Sequence, residues 1–138
     1  MMRAVFGQDQ LVADYISNGI GEYFSPPYVG IGFTRNGREL CGGALFNNWT
    51  GSNIDVSIYG PGAMTRYALG IGCRYAFKQI SANRITARTK RSNKTMQRLL
   101  PRIGFIFEGS LKRYYGPARR DDALIYALFI EGAEKWMQ

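Results

Sequence analysis

The sequence contains no histidine, and this absence limits the chemistry that its side chains can perform. Histidine is the base of Ser-His-Asp and Cys-His nucleophile systems and a common metal ligand. Both nucleophile systems and any histidine-ligated metal site are therefore excluded. A reaction catalysed by this chain must depend on carboxylates, tyrosines, hydroxyl groups, backbone amides or a bound cofactor. We expect no metal in the site.

Long apolar runs and cysteines are also scarce. No apolar stretch approaches the length of a membrane-spanning helix, and the N-terminal segment turns polar after Phe6, before a signal-peptide core could form. The two cysteines, Cys41 and Cys73, lack a spacing typical of metal sites, which predicts free, buried thiols. With 138 residues, 46% of them hydrophobic, we expect one domain over residues 1–138, cytoplasmic and without membrane contact.

Acidic residues are absent from the middle of the chain, between Asp55 and Glu108. Ten lysines and arginines fall in this acid-free interval: Arg66, Arg74, Lys78, Arg84, Arg88, Lys90, Arg91, Lys94, Arg98 and Arg102. A field of one sign attracts anions, so a polyphosphate cofactor, a nucleic acid or an acidic protein would each be drawn to this surface. A solvated basic face without a ligand fits the same pattern, and charge alone does not choose among these alternatives.

The first half of the chain shows the patterns of a helix, a hairpin and a strand. Apolar residues at helical spacing predict a helix over residues 8–19. Two strand-like segments flank Asn36-Gly37, a dipeptide that readily takes the positive φ angles of a tight hairpin turn. Alternation predicts a strand over residues 53–59, and the glycine loop 60–63 follows it.

The second half alternates between helix and strand patterns. Residues 64–80 predict a helix with a small-residue face, and residues 84–89 predict a strand. A short helix is expected over 93–102, and the last two strands over 105–107 and 123–130. This order of elements predicts an α/β or α+β domain with a mixed sheet.

One segment combines several of these elements at a specific spacing. Asn93 precedes a ten-residue helix, which is followed by Gly-Phe-x-x-Glu-Gly from Gly104 to Gly109 and later by Asp-x-x-x-Tyr from Asp122 to Tyr126. The pattern resembles the C-terminal half of the GNAT superfamily of N-acetyltransferases, most closely the subgroup that acetylates the α-amines of ribosomal proteins. The resemblance covers roughly residues 50–136, and so compact a chain would suit a small phage-encoded member.

The resemblance implies both a fold and an activity. It implies a mixed, mostly antiparallel sheet of about six to seven strands flanked by helices. The sheet would be splayed between its fourth and fifth strands, residues 53–59 and 84–89, with the pantetheine arm of acetyl-CoA in the gap. The implied reaction moves the acetyl group of acetyl-CoA to a primary amine, such as a protein N-terminus.

The resemblance also implies which residues hold acetyl-CoA. The glycine loop and the start of the next helix would offer backbone N–H groups to the pyrophosphate, because helix N-termini bind anions. Asn93 matches the asparagine that holds the cofactor arm, and cations of the acid-free interval would receive the remaining phosphate charge. The loop departs from the superfamily pattern Q/R-x-x-G-x-G/A, since Ile58 or Ser57 stands where Gln or Arg is usual. The predicted cofactor-binding residues are Ser57, Tyr59, Gly60, Gly62, Ala63, Met64, Thr65, Arg66, Asn93 and Arg98.

Asp55 is the candidate general base. It is the only carboxylate in the predicted strand 53–59, and it would act through a water molecule. The alternative is that Asp55 is a solvent-facing strand residue. A backbone N–H near residues 57–59 is expected to stabilise the charge that develops on the acetyl oxygen.

The proton donor to the departing thiolate is harder to assign. The positions that carry the acid in the superfamily and in the ribosomal subgroup hold Leu100 and Met96 here. Tyr114 and Tyr115 are the candidate catalytic phenols, and the alternative is that they pack as aromatic residues over the cofactor or the core. Glu108 is expected to fix the Glu-Gly turn through backbone hydrogen bonds rather than to act as a base.

Two other classes of protein remain open. One is a GNAT-fold protein that acts through protein contacts without catalysis, which the altered loop and the apolar acid positions favour. The other is a nucleic-acid-binding domain, favoured by the acid-free interval and nine tyrosines. Against this class, the sequence has no recognisable RNA-binding strand motif, zinc-ligand spacing or helix-turn-helix pattern. A protein or peptide is the expected amine acceptor, and a dimer stays open.

Overall fold

The computed structural model describes residues 1–138 and contains one seven-stranded sheet with helices on both faces. The strands are β1 (Arg3–Val5), β2 (Tyr28–Thr34), β3 (Leu40–Asn47), β4 (Asn53–Tyr59), β5 (Arg84–Lys90), β6 (Ile106–Leu111) and β7 (Ala123–Leu128). The helices are α1 (Asp9–Ile20), α2 (Arg66–Arg74), α3 (Lys94–Ile103) and α4 (Ile130–Ala133). The longest, α1, has 12 residues, and no helix has the length and apolarity needed to cross a membrane.

The sheet has the strand order β1-β2-β3-β4-β5-β7-β6, and every neighbouring pair is antiparallel except β4 and β5. The parallel pair is joined over four residues of each strand, from Asn53 opposite Arg84 to Val56 opposite Ala87. Beyond Val56 and Ala87 both strands continue for three residues without pairing to each other. The predicted mixed sheet and its splay between the fourth and fifth strands are confirmed.

The hairpin of β2 and β3 forms as predicted, but its turn differs from the tight two-residue type. Five residues, 35–39, separate the strands, and of the dipeptide only Gly37 has a positive φ angle, 76°. The Asn36 side chain shapes the loop instead, since its Oδ1 accepts the backbone N–H groups of Arg38 and Glu39 at 2.8 and 3.0 Å. Side-chain hydrogen bonding thus replaces the second positive φ angle.

The helix predicted over residues 64–80 is divided into three parts. A 3-10 turn covers Pro61–Met64, α2 begins only after Thr65, and a π-helical turn, Tyr75–Gln79, ends the segment. Thr65 separates the first two parts because its backbone is extended and its Oγ1 accepts the N–H of Ala68 at 3.1 Å, as a helix cap does.

The prediction of a Glu-Gly turn after Phe107 is wrong. Strand β6 continues through Glu108 and Gly109 to Leu111, with a bulge in its pairing to β7 and a φ of 155° at Gly109. A bulge adds a residue to one strand without ending the pairing. A glycine is common both at bulges and in turns, so the sequence pattern does not distinguish the two. Glu108 binds no backbone group, and its Oε1 lies 2.6 Å from Arg84 Nη2 in a salt bridge.

The chain ends add elements that the sequence patterns did not indicate. The short strand β1 pairs with β2 at the sheet edge. The last predicted strand stops at Leu128, and Ile130 begins α4. After α4, the indole N–H of Trp136 donates to the carbonyl of Ile103 at 2.7 Å and joins the C-terminal residues to the end of α3.

The two faces of the sheet differ at the splay. Because side chains alternate along a strand, Ile54 and Val56 point into the 21-residue core under α2 and α3, while Asp55 and Ser57 point to the other face. On that second face, α1 packs on the sheet through a five-residue cluster that also includes Phe24 and Leu45. Both cysteines are free as predicted, but Cys41 is half-buried rather than buried.

Candidate active site

A cleft of about 700 Å³ opens where β4 and β5 stop pairing. Its walls come from the loop after α1, the ends of β4 and β5, the loop after β4 and the first turns of α3, with Tyr115 at one side. At this level β4 still pairs with β3 and β5 still pairs with β7. The strand edges that face the gap therefore offer unpaired backbone N–H and C=O groups to a bound molecule.

One part of the cleft is apolar. Its side chains include Ile58 of β4, Met64 of the 3-10 turn, and Met96, Leu99 and Leu100 of α3. Leu100 has no exposed surface and forms part of the floor. The two positions where a proton donor is usual in the resembled proteins, Met96 and Leu100, thus offer no proton donor to the cleft.

The glycine loop borders the cleft and lies directly on β3. Gly60, with a φ of 92°, lines the cleft, whereas Gly62 and Ala63 are buried. A Cβ on Gly42 of β3 would collide with the backbone of Gly62 and Ala63. The loop can approach so closely because Gly42 has no side chain.

The predicted cofactor-binding residues are only partly brought together. Ser57, Tyr59 and Met64 line the cleft with Gly60, but Thr65 does not, and its hydroxyl caps α2. The two cations among the predicted cofactor-binding residues, Arg66 and Arg98, are exposed and do not line the cleft.

Arg66 has other partners. Its Nη2 donates to the carbonyl of Lys135 at 3.0 Å, and its guanidinium carbon lies 5.8 Å from the centre of the Trp136 ring. The role of Arg66 and Arg98 in binding phosphate groups stays a prediction.

Asn93 lies in the cleft wall between β5 and α3. Its Oδ1 accepts the backbone N–H of Met96 at 3.2 Å, so Asn93 is the N-cap of α3. Its Nδ2 makes no hydrogen bond within the protein, which leaves one side-chain donor available at the cleft.

The other end of the cleft is polar. A small recess of about 10 Å³ adjoins it, roughly the space of one water-sized group. Glu22, Ser57, Arg88 and Tyr115 line both the cleft and the recess. An amine or a water molecule would fit the recess, but a larger group would not.

Asp55 is buried in the wall of the recess and fully engaged. Its Oδ2 lies 3.1 Å from Arg88 Nη1 and accepts Asn48 Nδ2 at 2.9 Å, and its Oδ1 accepts Asn53 Nδ2 at 2.9 Å. The alternative of a solvent-facing residue is wrong, because Asp55 is 8% exposed. Asp55 therefore positions Arg88 through this salt bridge. The action of Asp55 as a base stays a prediction.

Glu22 is the carboxyl that sequence reasoning missed. It follows α1 directly after Gly21, whose φ of 72° ends that helix, and its backbone carbonyl accepts the Ser17 hydroxyl. Its side chain has no hydrogen-bond or salt-bridge partner. Burial raises the pKa of the Glu22 carboxyl, and the charge of Arg88 opposes the rise. The only sequence signal was an acidic residue just beyond a helix end, which does not show what it faces.

The two candidate tyrosines have different environments. Tyr115 is half-buried in the cleft and recess, and burial raises its pKa to about 12, with a further increase from Glu22 and an opposing effect of Arg88. Tyr114 is 47% exposed and outside both. Its ring packs edge-on against Tyr115 at 4.9 Å and lies 5.5 Å from the Arg88 guanidinium carbon.

Part of the positive charge of the acid-free interval is neutralised in the fold by carboxylates from elsewhere in the chain. Four of its ten cations form salt bridges with carboxylates from outside the interval: Arg84 with Glu108, Arg88 with Asp55, Lys90 with Asp121, and Arg91 with Asp122. All four lie on or beside β5. The strand that borders the cleft is therefore electrically balanced, which weakens the case for a nucleic-acid surface along it.

Three solved structures resemble this one over most of their length. Mutant forms of the spermidine/spermine N-acetyltransferase SpeG from Vibrio cholerae give a TM-score of 0.77 at 11% identity over 100% of both chains. A spermidine N-acetyltransferase chimera of Vibrio cholerae SpeG and hSSAT gives 0.71 at 14% identity, covering 99% of this chain and 98% of the chimera. A T. thermophilus protein provisionally classed as an acetyltransferase gives 0.68 at 20% identity, covering 90% of this chain and 69% of its own.

These likenesses are structural. No family model matches the sequence, and no curated protein matches it. The protein has the GNAT fold of acetyltransferases, as the sequence pattern predicts. The resemblance to the ribosomal-protein subgroup stays a prediction.

Proposed function

We propose that this protein transfers the acetyl group of acetyl-CoA to a primary amine of a peptide or protein. The observation that carries the proposal is the gap between β4 and β5, where two free strand edges border a cleft of about 700 Å³ within a GNAT fold. At its polar end the cleft brings together an unpaired carboxyl, Glu22, and a phenol, Tyr115. This pairing of an open backbone edge with a base and an acid suits acyl transfer.

The free edges and the apolar wall fit the pantetheine arm of acetyl-CoA. An extended chain that carries amide groups can pair with an open strand edge as another strand would. Ile58, Met96 and Leu99 would contact its methylene groups, and the Nδ2 of Asn93 would donate a hydrogen bond to it. When bound, acetyl-CoA supplies an acetyl group activated as a thioester.

The end of β4 would stabilise the charge that develops on the acetyl oxygen. Backbone N–H groups of residues 57–59 on the edge that faces the gap are held in place by the pairing of β4 with β3. Fixed donors of this kind need no reorganisation during the reaction. Ser57, in the cleft wall, places this edge next to the recess.

Glu22 is the residue best placed to receive the proton of the acceptor amine. An α-ammonium has a pKa of about 7.7–8.0, so a base must remove its proton before the nitrogen attacks. The Glu22 carboxyl is free of partners, and burial raises its pKa toward that of the amine. The recess is large enough for the amine nitrogen or for one relaying water.

Tyr115 is the residue best placed to protonate the departing sulfur. With a pKa of about 12, its phenol keeps its proton at neutral pH and can donate it when the carbon–sulfur bond breaks. The new carbon–nitrogen bond then remains with the acceptor. The nitrogen loses a second proton as the amide forms. One of its two protons returns to the phenolate and the other passes through Glu22 to solvent, so the residues end as they began.

Two measurements test the proposal. Calorimetric titration should show saturable binding of acetyl-CoA, and a peptide panel should show release of the CoA thiol that depends on a free N-terminal amine. Absence of acetyl-CoA binding to folded protein would reject it.

A second candidate is a CoA-binding protein that transfers nothing. The apolar side chains of Met96 and Leu100 at both usual acid positions favour it. In that case acetyl-CoA binds, no peptide accelerates thiol release, and replacing Glu22 or Tyr115 changes nothing measurable.

A further inference from the structure

The loop that carries Tyr115 is strongly basic. Between β6 and β7, residues 112–120 include four exposed cations and no acid. They are Lys112, Arg113, Arg119 and Arg120. None of the four forms a salt bridge, although Arg119 lies near enough to Asp122 to help lower the pKa of its carboxyl.

The two carboxylates next to this basic loop already have hydrogen-bond and salt-bridge partners. Asp121 and Asp122 are buried, and they fix the loop through the backbone N–H groups of Ala118 and Arg113 at 3.0 and 2.9 Å. Their charges are balanced by Lys90 and Arg91 of the neighbouring segment. The charge of the four exposed cations therefore remains available to a ligand.

The basic loop is continuous with the polar end of the cleft. Tyr115 belongs to the loop and lines the recess, and Tyr114 packs against both Tyr115 and Arg88. The recess itself has the opposite character: Asp55 and Arg88 balance each other, which leaves Glu22 as its one unbalanced charge. A single unbalanced carboxyl thus lies in a recess that Tyr115 of the basic loop helps to line.

We infer that the acceptor is an acidic peptide with a free N-terminal amine, an inference that rests on the proposed acetyl transfer. The amine would enter the recess beside Glu22, and carboxylates in the following residues would meet the cations of the loop. Peptide amines suit the recess because they are basic and nucleophilic, whereas the exocyclic amines of nucleic-acid bases are not. A polyamine is disfavoured, since its further ammonium groups would be repelled by the four cations of the loop, which have no salt-bridge partners.

The test compares peptides of equal length that share an N-terminal alanine and differ in the next residues. The set contains Asp/Glu, Ser/Gln and Arg versions, with spermidine as a fourth substrate. We expect kcat/KM to be roughly tenfold higher for the acidic than for the neutral peptide at low salt, because each exposed ion pair contributes little. The difference should vanish as added salt screens the loop.

A charge reversal locates the effect. Arg119→Glu/Arg120→Glu should remove the preference, mainly through KM, and leave acetyl-CoA affinity unchanged. The matched control, Arg74→Glu/Lys78→Glu, changes net charge equally. Its two exposed residues precede β5, whereas the cleft lies at the far end of that strand. Equal loss of the preference in both variants would overturn the inference.

Binding provides a readout that does not need turnover. An N-acetylated acidic peptide, the expected product, should bind in a salt-sensitive way that Arg119→Glu/Arg120→Glu weakens. Peptide acetylation without a charge preference, faster acetylation of spermidine, or preferential binding of a random oligonucleotide would overturn the inference and leave the acetyl-CoA site untouched. Absence of acetyl-CoA binding would instead reject the proposed function.

Discussion

The two ends of the cleft consist of different kinds of chemical group. The end that would hold the cofactor arm consists of strand edges, a glycine loop and apolar side chains such as Ile58 and Leu99. The other end consists of charged and phenolic groups from three distant segments, Glu22, Arg88 and Tyr115. Backbone groups are present whatever the side chain, so the strand edges of the first end tolerate sequence change, while the second end depends on residue identity.

The largest expected effect is at Glu22. Glu22→Gln should lower kcat by about 1,000-fold, within the range of general-base catalysis, with acetyl-CoA affinity unchanged. The exposed Glu131→Gln is the matched control. Because the wild-type base works when deprotonated and its pKa is raised, kcat/KM should rise with pH above about 4.3, the ordinary glutamate value. A Glu22→Gln enzyme that retains this rise at full rate would exclude Glu22 as the base.

Tyr115→Phe should have the next largest effect, a fall in kcat of about 100-fold. The phenol acts while protonated, and its pKa of about 12 predicts no alkaline decline of wild-type activity below pH 10. Tyr114→Phe, outside the cleft, should keep nearly full activity. If instead Tyr114→Phe is the impaired variant, the assignment of the two tyrosines must be exchanged.

Asn93 connects the apolar end with helix stability, and two substitutions separate its roles. Asn93→Ala should weaken CoA binding by up to about tenfold through one lost hydrogen bond, and lose ~1 kcal/mol of unfolding free energy through the missing cap. Asn93→Asp keeps a capping oxygen but removes the Nδ2 donor, so it should weaken CoA binding with little loss of stability. Calorimetry and urea unfolding measure the two quantities. Unchanged CoA affinity in folded Asn93→Ala would remove Asn93 from the site.

The smallest effect is expected at Asp122, which fixes the basic loop through the backbone N–H of Arg113. The backbone N–H of Arg113 and the charge of Arg91 hold the pKa of the Asp122 carboxyl below its usual range. The stabilisation by this carboxylate is therefore complete above about pH 3.9, the unfolded value, and is lost as the pH falls below it. Asp122→Asn should unfold at lower urea than wild type at pH 7, and the difference should shrink toward pH 2. A difference independent of pH would show that the charge is not involved.

Local patterns were enough to predict the elements that form the apolar end. Strand β4 has the predicted bounds Asn53–Tyr59, and α3 lies within one residue of its prediction, because alternation, helical spacing and glycine punctuation are local signals. The bulge at Gly109 was missed because Glu-Gly suits a turn equally well, and only the pairing with β7 distinguishes them.

The polar end could not be predicted from the sequence in the same way. Asp55 forms a salt bridge with Arg88, 33 residues later, on the neighbouring strand β5. Glu22 faces Arg88 and Tyr115 only after α1 has packed on the sheet. Such contacts are set by tertiary packing, and a single sequence contains no local signal for them.

The hydrogen bond from Trp136 to Ile103 also gives the protein an optical reporter. Trp136 is attached to the end of α3, the helix whose first turns line the cleft. The chain has one other tryptophan, Trp49, which is 46% exposed and so more accessible to a collisional quencher. With the emission of Trp49 reduced by quenching, the remaining fluorescence follows α3 as ligands enter the cleft, without any label.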